Sequence, residues 1–499
     1  MINLLSALLF IPLLGASIAF IFRGACVRFL AFVFALLQMF FTFYLLACFN
    51  FSPTVDDTLQ YEIQWPWSNY LRSSVHFGID GMSMLMVLLT NILIPLIILS
   101  SFNEKKPYSH NFYALILLMQ FGLLGVFTAL DGILFYAFWE ITLIPIWFIA
   151  GIWGQKDQKF RFTTKFFVYT FAGSLFMLAG LIYVYALPDT ASFALTDLYN
   201  ANLTYGEQVI VFFCIFFAFA VKLPIFPFHT WQPDTYTFSP TQGSMLLSGL
   251  MLKMAVYGLL RYLLPVTPEA IAGTAGGIVI MFCVFGVIYG ALIAGIQNDV
   301  KRLIAYSSLS HVGLITAGIF SSALLSLNGK FTTEGGSGAM VQAFAHGINV
   351  VGLFYCADIL EKRFGTRDIR KMGGYAKVAP KFSVLFILIL FGSLGVPLTN
   401  GFVGEFILIK SVFDYSTLLG IISGLTIILA AVYLLRLFAK TMLGRGEEKV
   451  LGRLRDISGV EFSVLASLCV FVVLLGIFPQ PILEMVDTSL RFIYSSMIK

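Results

Sequence analysis

The sequence predicts an all-α polytopic membrane protein of about fourteen transmembrane helices. Composition is the first reason: 59% of the 499 residues are apolar and 11% are charged, where a soluble chain carries about a quarter charged. Continuity is the second. The apolar residues fall in unbroken runs of about twenty, the length a helix needs to cross a hydrocarbon core of about 30 Å, and not in the alternation of a transmembrane barrel. Lipid offers backbone N–H and C=O groups no partner, so such runs must be helices. The third reason is that basic residues crowd into every second loop. The net charge of +5 is too small and scattered to suggest nucleic acid as a partner. Six cysteines stand singly with no CxxC, which leaves zinc, iron–sulfur and thioredoxin chemistry unsupported.

The runs cover 4–22, 28–49, 77–100, 111–130, 132–154, 162–187, 208–231, 241–264, 270–296, 302–327, 338–360, 382–412, 416–440 and 459–485. The first has an uncharged lead, Met1-Ile2-Asn3, which argues against a cleaved signal peptide. One set of alternate loops holds 22 Lys and Arg, from Arg23 and Arg28 through Lys105, Lys106, Lys156, Lys301 and Arg302 to Arg453 and Arg455. The opposite side, termini included, holds six: Arg72, Arg261, Lys330, Lys410, Arg491 and Lys499. Basic loops stay cytoplasmic, so the chain is expected in the inner (cytoplasmic) membrane with both termini on the non-cytoplasmic side.

The chain also resembles itself. Ala255-Val256-Tyr257 in the eighth run recurs as Ala431-Val432-Tyr433 in the thirteenth, each followed by an arginine, Arg261 and Arg436. Lys165-Phe-Phe-Val-Tyr169-Thr170 is echoed by Arg302-Leu-Ile-Ala-Tyr306-Ser307. The seventh run is interrupted at Lys222-Leu-Pro224-Ile-Phe-Pro227 and the twelfth at Gly395-Val-Pro397-Leu-Thr-Asn-Gly401. Four parts follow: residues 1–110 with helices 1–3, 111–264 as a first five-helix unit (4–8), 265–443 as a second (9–13), and 444–499 with helix 14. Five is odd, so the two units would be inverted, and inverted repeats with a broken helix in each point to a transport site.

Ionisable residues inside the runs are costly in lipid and are functional candidates by default. Glu140, Lys222, Lys253 and Glu405 fall on helices 5, 7, 8 and 12. Pro145, five residues after Glu140, cannot donate to the carbonyl of Ile141 and leaves a polar backbone atom one turn away. An acid locked permanently to a lysine is the plainer alternative for Glu140. His229, His311 and His346 are candidate relay groups, their ordinary pKa near 6.5 suiting proton exchange; satisfied core histidines are the plainer reading. No HxxxH pair occurs, so a metal site is not expected. Asp131, Asp234 and Asp299 read as caps or loop contacts. Acid, lysine, lysine and acid at similar depth form a row and not a cage, which suits a proton relay bridged by water. Two charges about 7 Å apart at an effective ε of about 20 interact by about 2.4 kcal/mol, close to the ~2.3 kcal/mol that moves one proton against ~100 mV.

Taken together, Trp139-Glu140, Val221-Lys222-Leu-Pro224-xx-Pro227-Phe-His229-Thr-Trp231-x-Pro233-Asp234, Leu252-Lys253-Met254-xx-Tyr257-Gly258, Asp299-x-Lys301-Arg302-xx-Ala305-Tyr306-Ser307-Ser308-xx-His311-x-Gly313 and Gly401-Phe402-x-Gly404-Glu405 resemble the antiporter-like subunits of respiratory complex I. The resemblance covers nearly the whole chain. Glutamate in place of lysine on helix 12, with no room for a long lateral helix after residue 485, points to one branch of that family. It implies a proton-translocating membrane-arm subunit of an NADH:quinone oxidoreductase, with Glu140 and Lys222 as the input pair, Lys253 as the central relay and Glu405 nearest the exit. It also implies that NADH, flavin (FMN), iron–sulfur clusters and quinone belong to partner subunits, and that the partners are lipid and other membrane-arm subunits, antiporter-like ones among them. The same motifs occur in multisubunit Na⁺/H⁺ antiporters, the first rival. Na⁺ wants several oxygen ligands, whereas the interior charges here are two lysines and two carboxylates. A stand-alone solute transporter would need a substrate-shaped pocket; a scaffold whose buried charges only specify packing is the last alternative.

Overall fold

Helix starts follow from local chemistry. The computed structural model describes residues 4–24, 26–51, 53–55, 58–68, 72–155, 158–188, 190, 192–446 and 451–498; Met1, Ile2, Asn3, Lys156, Lys449 and Lys499 lie outside them. Helices α1 (Leu4–Ile21) and α2 (Val27–Ala47) open the chain. Asp80 accepts from the Ser83 amide to start α3 (Gly81–Ser100). After α4 (Ser109–Thr128), Asp131 accepts from Ile133 and Leu134 to start α5 (Gly132–Trp153). Then come α6 (Lys159–Tyr185), the short α7 (Leu195–Tyr199), α8 (Tyr205–Lys222) and α9 (Gln232–Phe238). Helix α10 (Thr241–Leu263) precedes α11 (Pro268–Ile296). Asp299 accepts from the Arg302 amide at the head of α12 (Val300–Leu327), and α13 (Glu334–Phe364) follows. The rest is α14 (Pro380–Leu394), α15 (Asn400–Tyr415), α16 (Thr417–Met442), α17 (Val460–Ile477) and α18 (Gln480–Ser496). Among the described residues thirteen helices are long and apolar enough to cross a bilayer; the broken pair α14–α15 supplies the fourteenth crossing. Asp131 and Asp299 are thus caps, as expected.

Both predicted interruptions are real: α8 stops at Lys222 and the chain resumes helix at Gln232, while α14 stops at Leu394 and α15 starts at Asn400. Three readings need correction. The third crossing starts at Gly81 and not at residue 77, because β1 (Gln60–Ser68) and β2 (Ser73–Ile79) form an antiparallel hairpin that takes the residues before it. The run read as one helix over 459–485 is two. Pro479 and Pro481 suit a helix start and not an interior, and α18 begins there, burying Ile482, Met485, Val486, Ser489, Leu490 and Ile493 along one stripe. Arg261 and Lys301, counted among loop charges, are both buried. The Lys165 and Arg302 side chains both converge on Asp234 of α9, at 3.2 and 3.3 Å.

The core is inverted relative to a soluble protein. Helices α3, α4, α10, α12 and α13 are buried nearly end to end, while α1, α2, α6, α16 and α17 turn most of their surface outward. Polar and small residues concentrate on the buried set, because lipid repels charge more than the bundle interior does. Small residues set the spacing. A Cβ on Gly335 of α13 would lie 1.9 Å from the Gly318 carbonyl of α12, and one on Gly347 would lie 3.0 Å from the Gly249 carbonyl of α10. Backbone contact at Gly249 and Gly347 is what brings the next turn of each helix within side-chain reach.

At the end bearing the basic loops, ions tie the spine together. Glu104 bridges Lys106 and Lys362, each at 2.6 Å, and Lys362 also meets Asp358 at 2.6 Å. The Thr241 hydroxyl donates to Asp358 at 2.6 Å and accepts from Lys301 at 3.2 Å. The two repeat arginines diverge. Arg436 donates to Gly295 and Gln297 carbonyls at the C-terminus of α11, the end of a helix that favours a cation, whereas Arg261 pairs with Asp80.

Candidate functional site

Lys222 is the last residue of α8 and its side chain is buried. The Pro224 that follows cannot continue a hydrogen-bonded helix, which is why the ammonium sits at a helix end inside the bundle. It lies 5.2 Å from the Trp139 ring centroid and 6.0 Å from that of Phe166, a cation held against aromatic faces. Its Nζ has no hydrogen-bond partner and no carboxylate within 4.0 Å among the described residues. Glu140 of α5, next in sequence to Trp139, contacts Ser174 of α6 and lies within the electrostatic field of Lys222. One of its oxygens is buried without a partner among the described residues. This acid is therefore not locked to a lysine.

The second cluster is closely spaced, though both ring nitrogens of His311 lack a hydrogen-bond partner of good geometry among the described residues. Residues Leu247–Met251 of α10 form a π turn, which loosens the i→i−4 ladder. Lys253 Nζ donates to the Ser248 carbonyl at 2.7 Å and meets His346 Nδ1 of α13 at 2.9 Å. The ring of His346 is 5.9 Å, centroid to centroid, from that of His311 on α12. His311 Nδ1 in turn lies 3.0 Å from Glu405 Oε1 of α15, and Gln342 Nε2 donates to the same oxygen at 3.1 Å. Glycines make room for that carboxylate. Gly395 has φ +63°, and a Cβ there would lie 2.4 Å from Glu405 Oε2. A cavity of about 10 Å³, room for about one water molecule, is lined by His311, Gln342, His346, Asn349, Ser307 and Ser308 among others.

Lys253, His346, His311 and Glu405 thus come together as one string across α10, α13, α12 and α15. Glu140 and Lys222 form a separate pair. His229 joins neither: it meets the Tyr289 hydroxyl at 3.2 Å and stacks on Phe226 in the segment between α8 and α9. Gln342 and Asn349 carried no signal of their own in the sequence; a three- or four-residue step from His346 along α13 would have placed them on its face. The two tyrosines of the repeat behave alike, Tyr257 meeting Ser83 at 3.1 Å and Tyr433 meeting Ser307 at 2.9 Å. Such a string can pass protons between bases and acids without moving an ion larger than a proton.

Comparison with known proteins follows the same line. A family model described as NADH:quinone oxidoreductase/Mrp antiporter, TM, matches residues 129–430. NADH-quinone oxidoreductase subunit M of Rickettsia conorii is 35% identical over 498 residues, 98% of each chain. The Escherichia coli subunit of that name is 38% identical over 437 residues, 85% of this chain and 83% of its own. Among solved structures, a chain of respiratory complex I from Thermus thermophilus with bound NADH superposes with a TM-score of 0.88 at 28% identity, covering 99% of both chains. A chain of the Mrp complex from Dietzia sp. shares the fold, with a TM-score of 0.84 at 19% identity and 100% of both chains covered. With a family model spanning more than half of its length and relatives this similar along most of it, the chain belongs to the NADH:quinone oxidoreductase/Mrp antiporter transmembrane family, on its subunit M branch.

Proposed function

We propose that this chain is an antiporter-like membrane-arm subunit of an NADH:quinone oxidoreductase that translocates protons through Glu140, Lys222, Lys253 and Glu405, driven by electron transfer in other subunits. The observation that carries the reading is a pair of buried, mutually attracting but unbonded charges beside a string of closely spaced bases ending in an acid. The Lys222 ammonium is held by aromatic faces and by the field of Glu140. When that field is withdrawn or neutralised, the proton leaves Lys222 for Lys253, with water bridging the gap between them. His346 takes the next place: with Lys253 as an ammonium, its Nδ1 accepts and its Nε2 carries hydrogen toward His311. Glu405 ends the string by accepting the proton at a carboxylate that Gln342 keeps oriented. The basic loops face the cytoplasm in this reading, and the hairpin and termini face the opposite side.

The family match to both complex I and Mrp proteins keeps a Na⁺/H⁺ antiporter subunit as the second reading. What favours protons is the chemistry of the string, in which three nitrogen bases lead to one carboxylate and, among the described residues, no cluster of metal-ligating side chains stands beside them. Lys222→Ala and Glu140→Gln in the assembled complex test the proposal. Both variants are expected to abolish NADH-driven proton pumping and most quinone reduction while the complex still assembles. Normal pumping by an assembled Lys222→Ala complex would reject the relay.

A further inference from the structure

Lys253, Tyr257 and Arg261 follow one another on α10 at four-residue steps, one above the next. The last of them leaves the relay behind. The Arg261 side chain is buried at the end of the bundle that bears the hairpin, and its guanidinium is paired with Asp80, the residue that caps α3. Arg261 Nε donates to the Tyr257 hydroxyl at 3.3 Å, and that hydroxyl meets Ser83 at 3.1 Å. Tyr199 donates to the Arg261 carbonyl at 2.6 Å. Beyond Arg261 opens a cavity of about 320 Å³, walled by Thr58, Glu62, His76, Thr196 and Tyr199 among others. Glu62 and His76, in contact at 2.7 Å on the hairpin, carry it out to exposed surface.

A polar file therefore runs from the surface to Arg261, on to Tyr257, and ends about one helical turn, ~6 Å, from Lys253. A relay that stores energy by separating charges cannot tolerate such a file open to protons from the side it pumps toward. Arginine is the side chain suited to close it. Its guanidinium does not release a proton at physiological pH, so it cannot pass one on, and a fixed arginine in a pore repels entering cations and protons. Arg261 lines the cavity and Asp80 does not; a proton arriving from the surface meets the cation first, with the acid behind it holding it in place. We propose that the Asp80–Arg261 pair is an electrostatic plug that seals Lys253 from protons on the hairpin side. The proposal rests on the relay reading of Lys253.

The test uses the whole complex in proteoliposomes, without NADH, with an acid jump on the hairpin side and an internal pH dye. Asp80→Asn with Arg261→Met removes both charges, so neither is left buried alone. A lone unit charge about 10 Å away at an effective ε of about 20 would slow proton entry roughly tenfold; Asp80 behind Arg261 cancels part of that, so passive uptake is expected to rise by about two- to fivefold. Adding Tyr257→Phe is expected to bring it back down. Tight vesicles with a normal NADH-driven gradient would overturn the plug, and so would vesicles that stay tight but lose pumping, since the pair would then be an outlet. Arg261→Lys keeps the ion pair and guards against a failure to assemble. A lysine can release its proton, so its leak should grow from about pH 6 to about pH 9; a leak equal to that of the unaltered complex throughout overturns the plug. Glu140→Gln separates the two failures: a tight double variant beside a pumping-dead Glu140→Gln complex sinks the plug alone, whereas normal pumping by Glu140→Gln sinks the relay.

Discussion

The two ends of the row hold their charges by opposite means. Between α5 and α8, Lys222 faces Glu140 without a bond and leans on Trp139 and Phe166. Between α10 and α15, Lys253, His346, His311 and Glu405 are each in contact with another polar group. An ammonium without hydrogen bonds depends almost wholly on the field of one carboxylate, so a small displacement of that carboxylate changes its state. A string of groups in close polar contact is less sensitive; it conducts, and it spreads any disturbance over several partners. The first end is built to switch and the second to carry.

That difference ranks the outcome of substitutions. Lys222→Ala should have the largest effect, at least about a hundredfold loss of pumping, because nothing else holds a proton at that point. His346→Leu should come next. It leaves Lys253 with only the Ser248 carbonyl and breaks the string, for a loss of roughly tenfold. Glu405→Gln should cost least of the three, roughly fivefold: an amide cannot take the proton as Glu405 does, but the bases before it stay in place and water can take the proton at the end of the string. Proton uptake by inverted vesicles under NADH measures all three. If Glu405→Gln proved as damaging as Lys222→Ala, the two ends would not differ in kind.

The four intramembrane charges and both helix breaks were legible in the sequence, because charge and proline in an apolar run have few other meanings. The pairing among them was not. Nothing in the spacing joins His346 to Lys253, since the two meet through a backbone contact between glycines 98 residues apart in the chain, Gly249 and Gly347. Helix α18 was hidden because its apolar stripe continues the run of α17, and hydropathy averaged over a window does not register Pro479 as a boundary. Arg261 was misread because a charge near a helix end looks like a loop charge until its partner, Asp80, arrives from another helix.

The glycine contact gives a way to sharpen the contrast. A Cβ on Gly249 would lie 2.5 Å from a Val351 methyl, so Gly249→Ala must push α10 from α13. Overpacking of this kind costs about 1–3 kcal/mol, and lengthening the Lys253–His346 contact should lower pumping about twofold. Adding Val351→Ala in the same chain makes room for the methyl group and should restore both stability and rate. Loss of rate that persists in the double variant would mean that α10 and α13 do not set the contact.

The smallest expected effect falls at the basic-loop end, where Glu104 tests whether ion pairs there belong to function at all. Burial raises its pKa, but Lys106 and Lys362 more than offset that and hold the carboxyl below its ordinary value. A lowered carboxylate stabilises the fold above its unfolded pKa, near 4.3, and this contribution is lost as pH falls through the lowered value. Glu104→Gln should therefore leave pumping unchanged and cost about 1 kcal/mol at neutral pH, a melting shift of no more than about 2 °C. The two proteins should converge only as pH falls below that lowered value. A pumping defect in Glu104→Gln would extend the switch to the loops, because a pair that only fastens α13 to the α3–α4 turn cannot alter the rate at which Lys222 gives up its proton.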